Sequence, residues 1–62
     1  MPRYTVAIRA NDPGRWVPGA WTIDVASKDP AIIFKAAREL CETENVTLIR
    51  VVANSTGKEV KE

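Results

Sequence analysis

The shortness of the chain is the feature that most limits what it can fold into. A domain of 62 residues buries only roughly 60% of the surface that its unfolded chain exposes, so its margin of stability is small. Many small domains compensate with disulfides or zinc. Here Cys41 is the only cysteine and histidine is absent, which excludes an intramolecular disulfide and a Cys/His zinc cluster. The chain therefore depends on a well-packed core or on self-association.

The composition predicts a folded domain rather than a disordered one, because 45% of the residues are hydrophobic and 27% are charged. The net charge is +1, whereas a dedicated nucleic-acid-binding domain usually carries a clear positive excess. No apolar run reaches the ~20 residues that span a bilayer, and residues 1–4 alternate like a strand rather than forming the apolar part of a signal peptide. We therefore expect a cytoplasmic protein with no membrane segment.

The first half of the chain shows two strand patterns followed by a helix pattern. Residues 4–10 and 20–26 alternate with a period of two, which predicts half-buried strands, and the Pro/Gly-rich residues 11–19 predict a loop between them. Asp29-Pro30 is a typical helix start, and we expect the helix to end near residues 43–45. Its apolar stripe comprises Ile33, Phe34, Ala36, Ala37, Leu40 and Cys41.

Residues 46–53 are rich in β-branched side chains and predict a third strand, whose phase is ambiguous. We choose the phase that directs Arg50 to solvent. The side chains that then point inward are Ile49, Val51 and Ala53. Those left on the outer face are Leu48 and Val52.

These segments predict an α+β fold with a single small ββαβ domain over residues 1–53. The sheet is expected to be three-stranded and antiparallel, with the strand order 2-1-3, and the helix to pack on one face. Residues 54–62 are predicted to form a polar C-terminal tail, in which Val60 can extend the last strand.

Candidate catalytic groups are scarce. Without histidine, the commonest general base near neutral pH is missing. Asp24 fits a solvated strand residue, and Glu39 and Glu42 lie on the polar side of the helix. Cys41 lies on the apolar stripe near the helix C-terminus, a position that does not favour a thiolate. We therefore predict a non-enzymatic protein that has no cofactor and no metal site.

Pro2 provides the one enzymatic alternative. If Met1 is removed, Pro2 becomes an N-terminal secondary amine at the start of a strand. In this respect the chain resembles the tautomerase family, whose members are about this long and use an N-terminal proline as general base. The resemblance covers only the first strand, because tautomerases of this size pass directly from that strand into a helix. The structural alternative is that Pro2 is a residue tolerated at a strand edge.

Trp16 is a candidate binding residue because it lies in the Pro/Gly loop, next to Arg15. Exposed tryptophan and arginine are the residue types most enriched at binding hot spots. The prolines of the loop restrict its conformations and so reduce the entropy that docking would cost. The alternative is that Trp16 folds back over the end of a small core.

The open face of the predicted sheet is the other candidate site. Arg3 and Arg9 share this face with Arg50, and the aliphatic side chains of Leu48 and Val52 lie among them. Such a surface suits an acidic protein partner. It can also follow phosphates, although it offers no aromatic platform for stacking bases. Homodimerisation through this face or through an edge strand would bury the same aliphatic groups.

The segment from Trp21 to Val52 resembles the small ββαβ inhibitors of host RNA polymerase made by podoviruses. The shared pattern is a strand that ends in Val25-Ala26-Ser27, a helix that carries Ala36-Ala37 and Leu40, and a strand with Arg50 between apolar residues. In that family an arginine on the third strand meets an acidic surface of the polymerase jaw, which implies this role for Arg50. The position of the family's second arginine is occupied by Val52 here, and its acidic stretch before the helix is represented only by Asp24 and Asp29.

The sequence therefore predicts a non-enzymatic protein-binding module, with a phage-encoded modulator or inhibitor of a host enzyme such as RNA polymerase as the implied role. The alternatives are nucleic-acid binding through the same face and Pro2 tautomerase chemistry. The predicted partner-binding residues are Arg3, Arg9, Arg15, Trp16, Leu48, Arg50 and Val52.

Overall fold

The computed structural model describes residues 2–62, which form one helix and a four-stranded antiparallel sheet. The elements are β1 (Arg3–Ala10), β2 (Ala20–Asp24), α1 (Pro30–Glu44), β3 (Val46–Ala53) and β4 (Glu59–Val60). In space the strands follow the order β2-β1-β3-β4. The α+β class with one helix and an antiparallel sheet is confirmed. The predicted count of three strands is wrong, because a fourth strand follows β3.

β4 forms because the chain reverses direction directly after β3. Gly57 takes a positive φ of 72°, which glycine adopts without a steric penalty. Its N–H donates to the carbonyl of Ala53 at 2.8 Å. Val60 then pairs with Val51 and packs against the core. The new strand thus lies within residues 54–62, the segment that the sequence analysis assigned to a polar tail.

The core lies between α1 and one face of the sheet. β1 is a central strand, and its alternate side chains enter this core as the period of two predicts. The helix contributes Ile33, Ala37 and Cys41, which lie four residues apart on its apolar stripe. The buried residues are Tyr4, Val6, Ile8, Val25, Ile33, Ala37, Cys41, Val46 and Val51. Tyr4 keeps its polar atom satisfied, because its hydroxyl donates to the carbonyl of Ser27 at 3.0 Å.

Both ends of α1 are capped by the residues that the sequence indicated. The Asp29 side chain accepts a hydrogen bond from the N–H of Ala31 at 3.0 Å, and Pro30 occupies the first helical position. Asn45 follows the helix with φ 55° and ψ 52°, and its N–H donates to the carbonyl of Glu42. This left-handed residue ends the helix and turns the chain directly into β3.

A β-bulge in β3 decides which of its side chains reach the core. Ala7 lies opposite Arg50, whereas the next residue of β1, Ile8, lies opposite Leu48. Ile49 is therefore an extra residue in β3 at this point. Because a strand's faces alternate residue by residue, one inserted residue reverses the phase on its N-terminal side.

The predicted phase of β3 consequently holds on one side of the bulge only. Val51 is buried and Ala53 packs against the core, as predicted. Ile49 is 53% exposed, and Leu48 packs against the core. The inward placement of Ile49 and the outward placement of Leu48 are wrong, because a strict period of two does not continue through a bulge.

Truncation of β3 side chains tests the position of the bulge. Val51→Ala removes two methyl groups from a fully buried site, so we expect the free energy of unfolding to fall by roughly 2–3 kcal/mol. Ile49→Ala removes more atoms from an exposed site, and we expect a loss below about 1 kcal/mol. Denaturant unfolding of both variants measures the difference. Equal losses would place Ile49 in the core and contradict the bulge.

Candidate protein-binding surface

The sheet face that points away from α1 is called the outer face below. It is formed by alternate residues of all four strands, with the outward residues of β1 lying between those of β2 and β3. Charged side chains lie along it together with short polar and aliphatic ones. The outer face comprises Arg3, Thr5, Ala7, Arg9, Ala20, Thr22, Asp24, Thr47, Ile49, Arg50, Val52 and Glu59.

Arg3 has an acidic neighbour on this face. The strand register places Arg3 opposite Asp24, and the Arg3 Nε donates to Asp24 Oδ1 at 3.1 Å. Both side chains remain about half exposed, so this pair contributes at most about 1 kcal/mol to stability. Asp24 also compensates the positive charge that Arg3 would otherwise add to the outer face.

Arg9 and Arg50 have no such neighbour. The ion pairs formed within residues 2–62 are Arg3–Asp24 and Arg38–Glu62, and neither involves Arg9 or Arg50. Both side chains are exposed. They lie on adjacent strands, because β1 carries Arg9 two residues after Ala7, which faces Arg50. Arg9 and Arg50 are therefore the unpaired arginines of the outer face, and Glu59 of β4 is its unpaired carboxylate within residues 2–62.

Ile49 adds an apolar group beside this charge. The bulge places it next to Arg50 with 53% of its surface exposed. Ile49 was predicted to point inward and was therefore not among the predicted surface residues. The available signal is the pair of apolar doublets, Leu48-Ile49 and Val51-Val52, on either side of Arg50. A strictly alternating strand directs either Ile49 and Val51 or Leu48 and Val52 inward, so only a break in alternation brings Leu48 and Val51 together on the core side.

The two aliphatic residues predicted for the binding surface have different environments. Leu48 packs against the core from the helix side of the sheet and so does not belong to the outer face. Val52 does lie on the outer face, between Thr5 of β1 and Glu59 of β4. It is partly buried there. The apolar contribution to the outer face thus comes from Ile49 and Val52.

Arg15 is tied to the end of the helix. Its Nη1 donates to the carbonyl of Asn45 at 3.0 Å, and its Nη2 donates to the carbonyl of Glu44 at 2.7 Å. These carbonyls have no partner within the helix, and the helix dipole makes them a favourable site for a cation. Arg15 therefore fastens the loop of residues 11–19 to the C-terminus of α1.

Trp16 projects from this fastened loop. It is 84% exposed, while the next residue, Val17, packs against the core. A second tie comes from Asn11, whose side-chain N–H donates to Asn45 Oδ1 at 3.2 Å. Of the two alternatives for Trp16, the structure thus has the exposed one, and Val17 covers the end of the core instead.

Pro2 lines a cavity of about 250 Å³. Pro2 lies directly before the start of β1, whereas the loop of residues 11–19 follows the other end of this strand. The carbonyl of Pro2 accepts a hydrogen bond from the N–H of Val25 at 3.1 Å, which continues the pairing of β1 with β2. The cavity walls are mostly apolar, with a lysine and three hydroxyl side chains among them. Its lining residues are Pro2, Tyr4, Lys28, Ile33, Ala53, Ser55, Thr56 and Val60.

Cys41 is a core residue, as the sequence predicted. Only 4% of its surface is exposed, and burial raises the pKa of its thiol because the charged thiolate loses hydration. Since the thiolate is the nucleophilic form, this environment suppresses cysteine chemistry near neutral pH.

The neighbouring residues Arg15 and Trp16 should differ in what they do for stability. Arg15→Ala removes both hydrogen bonds to the helix C-terminus, so we expect the free energy of unfolding to fall by about 1 kcal/mol. Trp16→Ala is expected to change it by less than about 0.5 kcal/mol, because the side chain packs against little. Urea unfolding measures both. A larger loss for Trp16→Ala would show that the ring packs on the core.

The Cys41 thiol should react slowly while the protein is folded. At pH 8 we expect the disulfide reagent DTNB to modify Cys41 on the order of 100-fold more slowly than it modifies the protein in denaturant, because reaction awaits transient opening of the core. The control is free glutathione under both conditions. Modification of the folded protein at the denatured rate would contradict the buried position.

No family model, curated protein or solved structure matches the chain. Within residues 2–62, no helix is both long and apolar enough to cross a membrane. The same part of the chain holds no group of three or more His, Cys, Asp or Glu side chains placed to bind a metal ion. The outer face and the Trp16 loop are therefore the features of the molecule that bear on its function.

Proposed function

We propose that the protein is a non-enzymatic binding module whose outer face docks onto an acidic surface of a protein partner. The observation that carries this proposal is the grouping of Arg9 and Arg50, neither of which forms an ion pair within residues 2–62, with the exposed Ile49 at the bulge. Arginine suits this task because its planar guanidinium can donate two parallel hydrogen bonds to one carboxylate.

Ile49 complements these charges with apolar contact area. Burial of its exposed surface against a partner favours binding by roughly 25 cal/mol per Å². The same contact removes water from around the neighbouring arginines, which strengthens their hydrogen bonds to carboxylates. Charge on this surface would then set the approach and orientation of the partner, while Ile49 and Val52 would contribute contact in the centre.

Trp16 would provide a second anchor at the end of the sheet. The loop that carries it leaves β1 directly after Arg9 and Ala10. Because Arg15 and Asn11 already fix this loop to the end of α1, docking would immobilise little further backbone. Preorganisation of this kind raises affinity by reducing the entropy lost on binding.

The resemblance to podovirus inhibitors of RNA polymerase supports a partner class for this surface. Arg50 holds the position of the arginine that meets the polymerase jaw in that family, and it is exposed on the outer face here. We therefore propose a phage-encoded modulator of a cytoplasmic host enzyme, with RNA polymerase as the first target to test. Val52 replaces the family's second arginine, and Arg9 supplies a second positive charge from β1 instead.

Charge reversal tests this function directly. The double variant Arg9→Glu/Arg50→Glu should lose at least about 100-fold in affinity for its partner, because both guanidinium contacts become repulsive. The experiment uses purified bacterial RNA polymerase and, in parallel, capture from a nuclease-treated bacterial lysate. Lys35→Glu is the matched control, since it reverses one charge on the exposed side of the helix and should leave binding unchanged.

The outcome separates the alternatives. Capture of one protein in stoichiometric amount, lost in the double variant and kept in the control, supports the proposal. Capture that resists charge reversal would overturn the role of the outer face. Binding of nucleic acid alone, with an affinity that falls steeply as salt rises, would assign the same arginines to phosphate contacts.

The cavity beside Pro2 favours one second candidate, N-terminal-proline chemistry. With Met1 removed, the Pro2 amine would lie at a mostly apolar cavity that also contains the Lys28 side chain. In its neutral form, such an amine would act as a general base towards a ligand in the cavity.

Mass spectrometry of the intact protein tests this candidate first. If the candidate is correct, the measured mass corresponds to a chain without Met1. The protein then also tautomerises phenylpyruvate, and Pro2→Ala loses this activity. Retention of Met1 excludes the candidate, because the proline nitrogen is then an amide. Ser55→Ala, a substitution in the same cavity, is the control for loss of activity through altered packing.

A further inference from the structure

We infer that the free edge of β2 pairs with β2 of a second copy of this chain, which produces a symmetric dimer with one continuous antiparallel sheet. β2 is a terminal strand of the sheet, and within residues 2–62 no other strand pairs with its outer edge. The inference is independent of the proposed partner, because it uses backbone groups at the strand edge and not the side chains of Arg9 and Arg50.

The hydrogen bonds to β1 reveal which backbone groups of β2 are available. The N–H of Val25 donates to the carbonyl of Pro2, and the N–H of Ile8 donates to the carbonyl of Gly19, both at 3.1 Å. The register of β1 with β2 continues between these two bonds without a shift, so hydrogen-bonded pairs recur every second residue. The residues of β2 whose N–H and C=O groups point towards β1 are Trp21 and Ile23. Those whose groups point outward are Ala20, Thr22 and Asp24.

An antiparallel pairing centred on Thr22 satisfies all of these outward groups. Thr22 then faces Thr22 of the second copy across the two-fold axis, and Ala20 faces Asp24 on both sides of it. Asp24 lies opposite an alanine and remains paired with Arg3 of its own chain. The edge is therefore complementary to itself, with no like charges directly opposite each other.

The side chains on the helix side of β2 favour the same arrangement. Trp21 and Ile23 are only partly buried in the single chain, and α1 lies closest to β3 rather than above β2. In the proposed register, Trp21 faces Ile23 of the second copy in the closely spaced type of antiparallel pair. The dimer thus covers more of two apolar side chains that the single domain leaves partly exposed.

The two edges of the sheet differ in their protection against such pairing. β4 has only two residues, Glu59 and Val60, and charged residues stand on both sides of them. Short, charged edges are the usual means by which proteins prevent strand addition. β2 has five residues, with neither lysine nor proline among them. The β2 edge is therefore less protected than β4. The part of β3 that β4 leaves unpaired, residues 46–50, contains the bulge, which disrupts regular strand addition.

The dimer would place both outer faces on one side of the joined sheet and both helices on the other. A partner with a repeated acidic surface would then meet two sets of Arg9 and Arg50 at once. Since the pairing involves one short strand from each copy, its interface falls at the small end of protein–protein contacts. We therefore expect a dimer that forms and dissociates with protein concentration.

Sedimentation equilibrium from about 10 μM to about 1 mM tests the inference on the wild-type chain. We expect a concentration-dependent shift from monomer to dimer. Thr22→Glu should remain monomeric, because two carboxylates would face each other across the axis with Asp24 on each diagonal. Thr47→Glu makes the same change at an outer-face threonine of β3 and should dimerise like the wild type, with circular dichroism confirming that both variants are folded.

A mixing experiment tests the register itself. Thr22→Glu combined with Thr22→Lys should form a mixed dimer, detected by native mass spectrometry, at concentrations where Thr22→Glu alone is monomeric. A wild-type chain that stays monomeric throughout overturns the inference. So does a dimer that Thr22→Glu leaves intact, or one that Thr47→Glu also abolishes, because either result places the contact away from the β2 edge.

Discussion

The structure depends on the packing of α1 against one face of the sheet, because a chain with a single cysteine forms no internal disulfide. Val6 and Ile33 are almost completely withdrawn from solvent on either side of this contact, and each such side chain contributes roughly 1.5–3 kcal/mol. Small domains have a total stability of only about 5 kcal/mol or a little more. With so small a margin, an unsatisfied polar group in the core would be costly. The Tyr4 hydroxyl avoids this cost by donating a hydrogen bond to the Ser27 carbonyl.

The bulge at Ile49 links this core to the outer face. Val51 on one side of the bulge and Leu48 on the other both reach the helix side of the sheet, and the inserted residue is what allows this. The same insertion leaves Ile49 and Arg50 exposed as neighbours on the surface. One irregularity thus secures a continuous core and creates the mixed apolar and basic patch on which the proposed function rests.

Much of the fold could be predicted from local patterns. The helix limits followed from Asp29, Pro30 and Asn45, since capping depends on residues adjacent in sequence. The bulge could not be predicted in this way, because it is set by the register of β3 with the distant strand β1. β4 has only two residues, Glu59 and Val60, which is too short to show a period of two. For the candidate site, Arg9, Arg50 and Trp16 were identified from residue type. Two interactions were not predictable from the sequence, because each joins residues that are distant along the chain. They are the hydrogen bonds of Arg15 to the C-terminus of α1 and the ion pair of Arg3 with Asp24.

The pairing of β1 with β3 has a consequence for how the chain reaches its native state. Tyr4 lies opposite Ala53, so the central strand acquires its second neighbour only when nearly the whole sequence is available. The chain loses the entropy of closing this long loop before the contacts between β1 and β3 form. Topologies of this kind fold more slowly than those with local contacts. During synthesis, the apolar side chains of β1, β2 and α1 therefore stay incompletely covered until β3 emerges from the ribosome. In this interval, chaperones can bind the exposed apolar surface of the nascent chain.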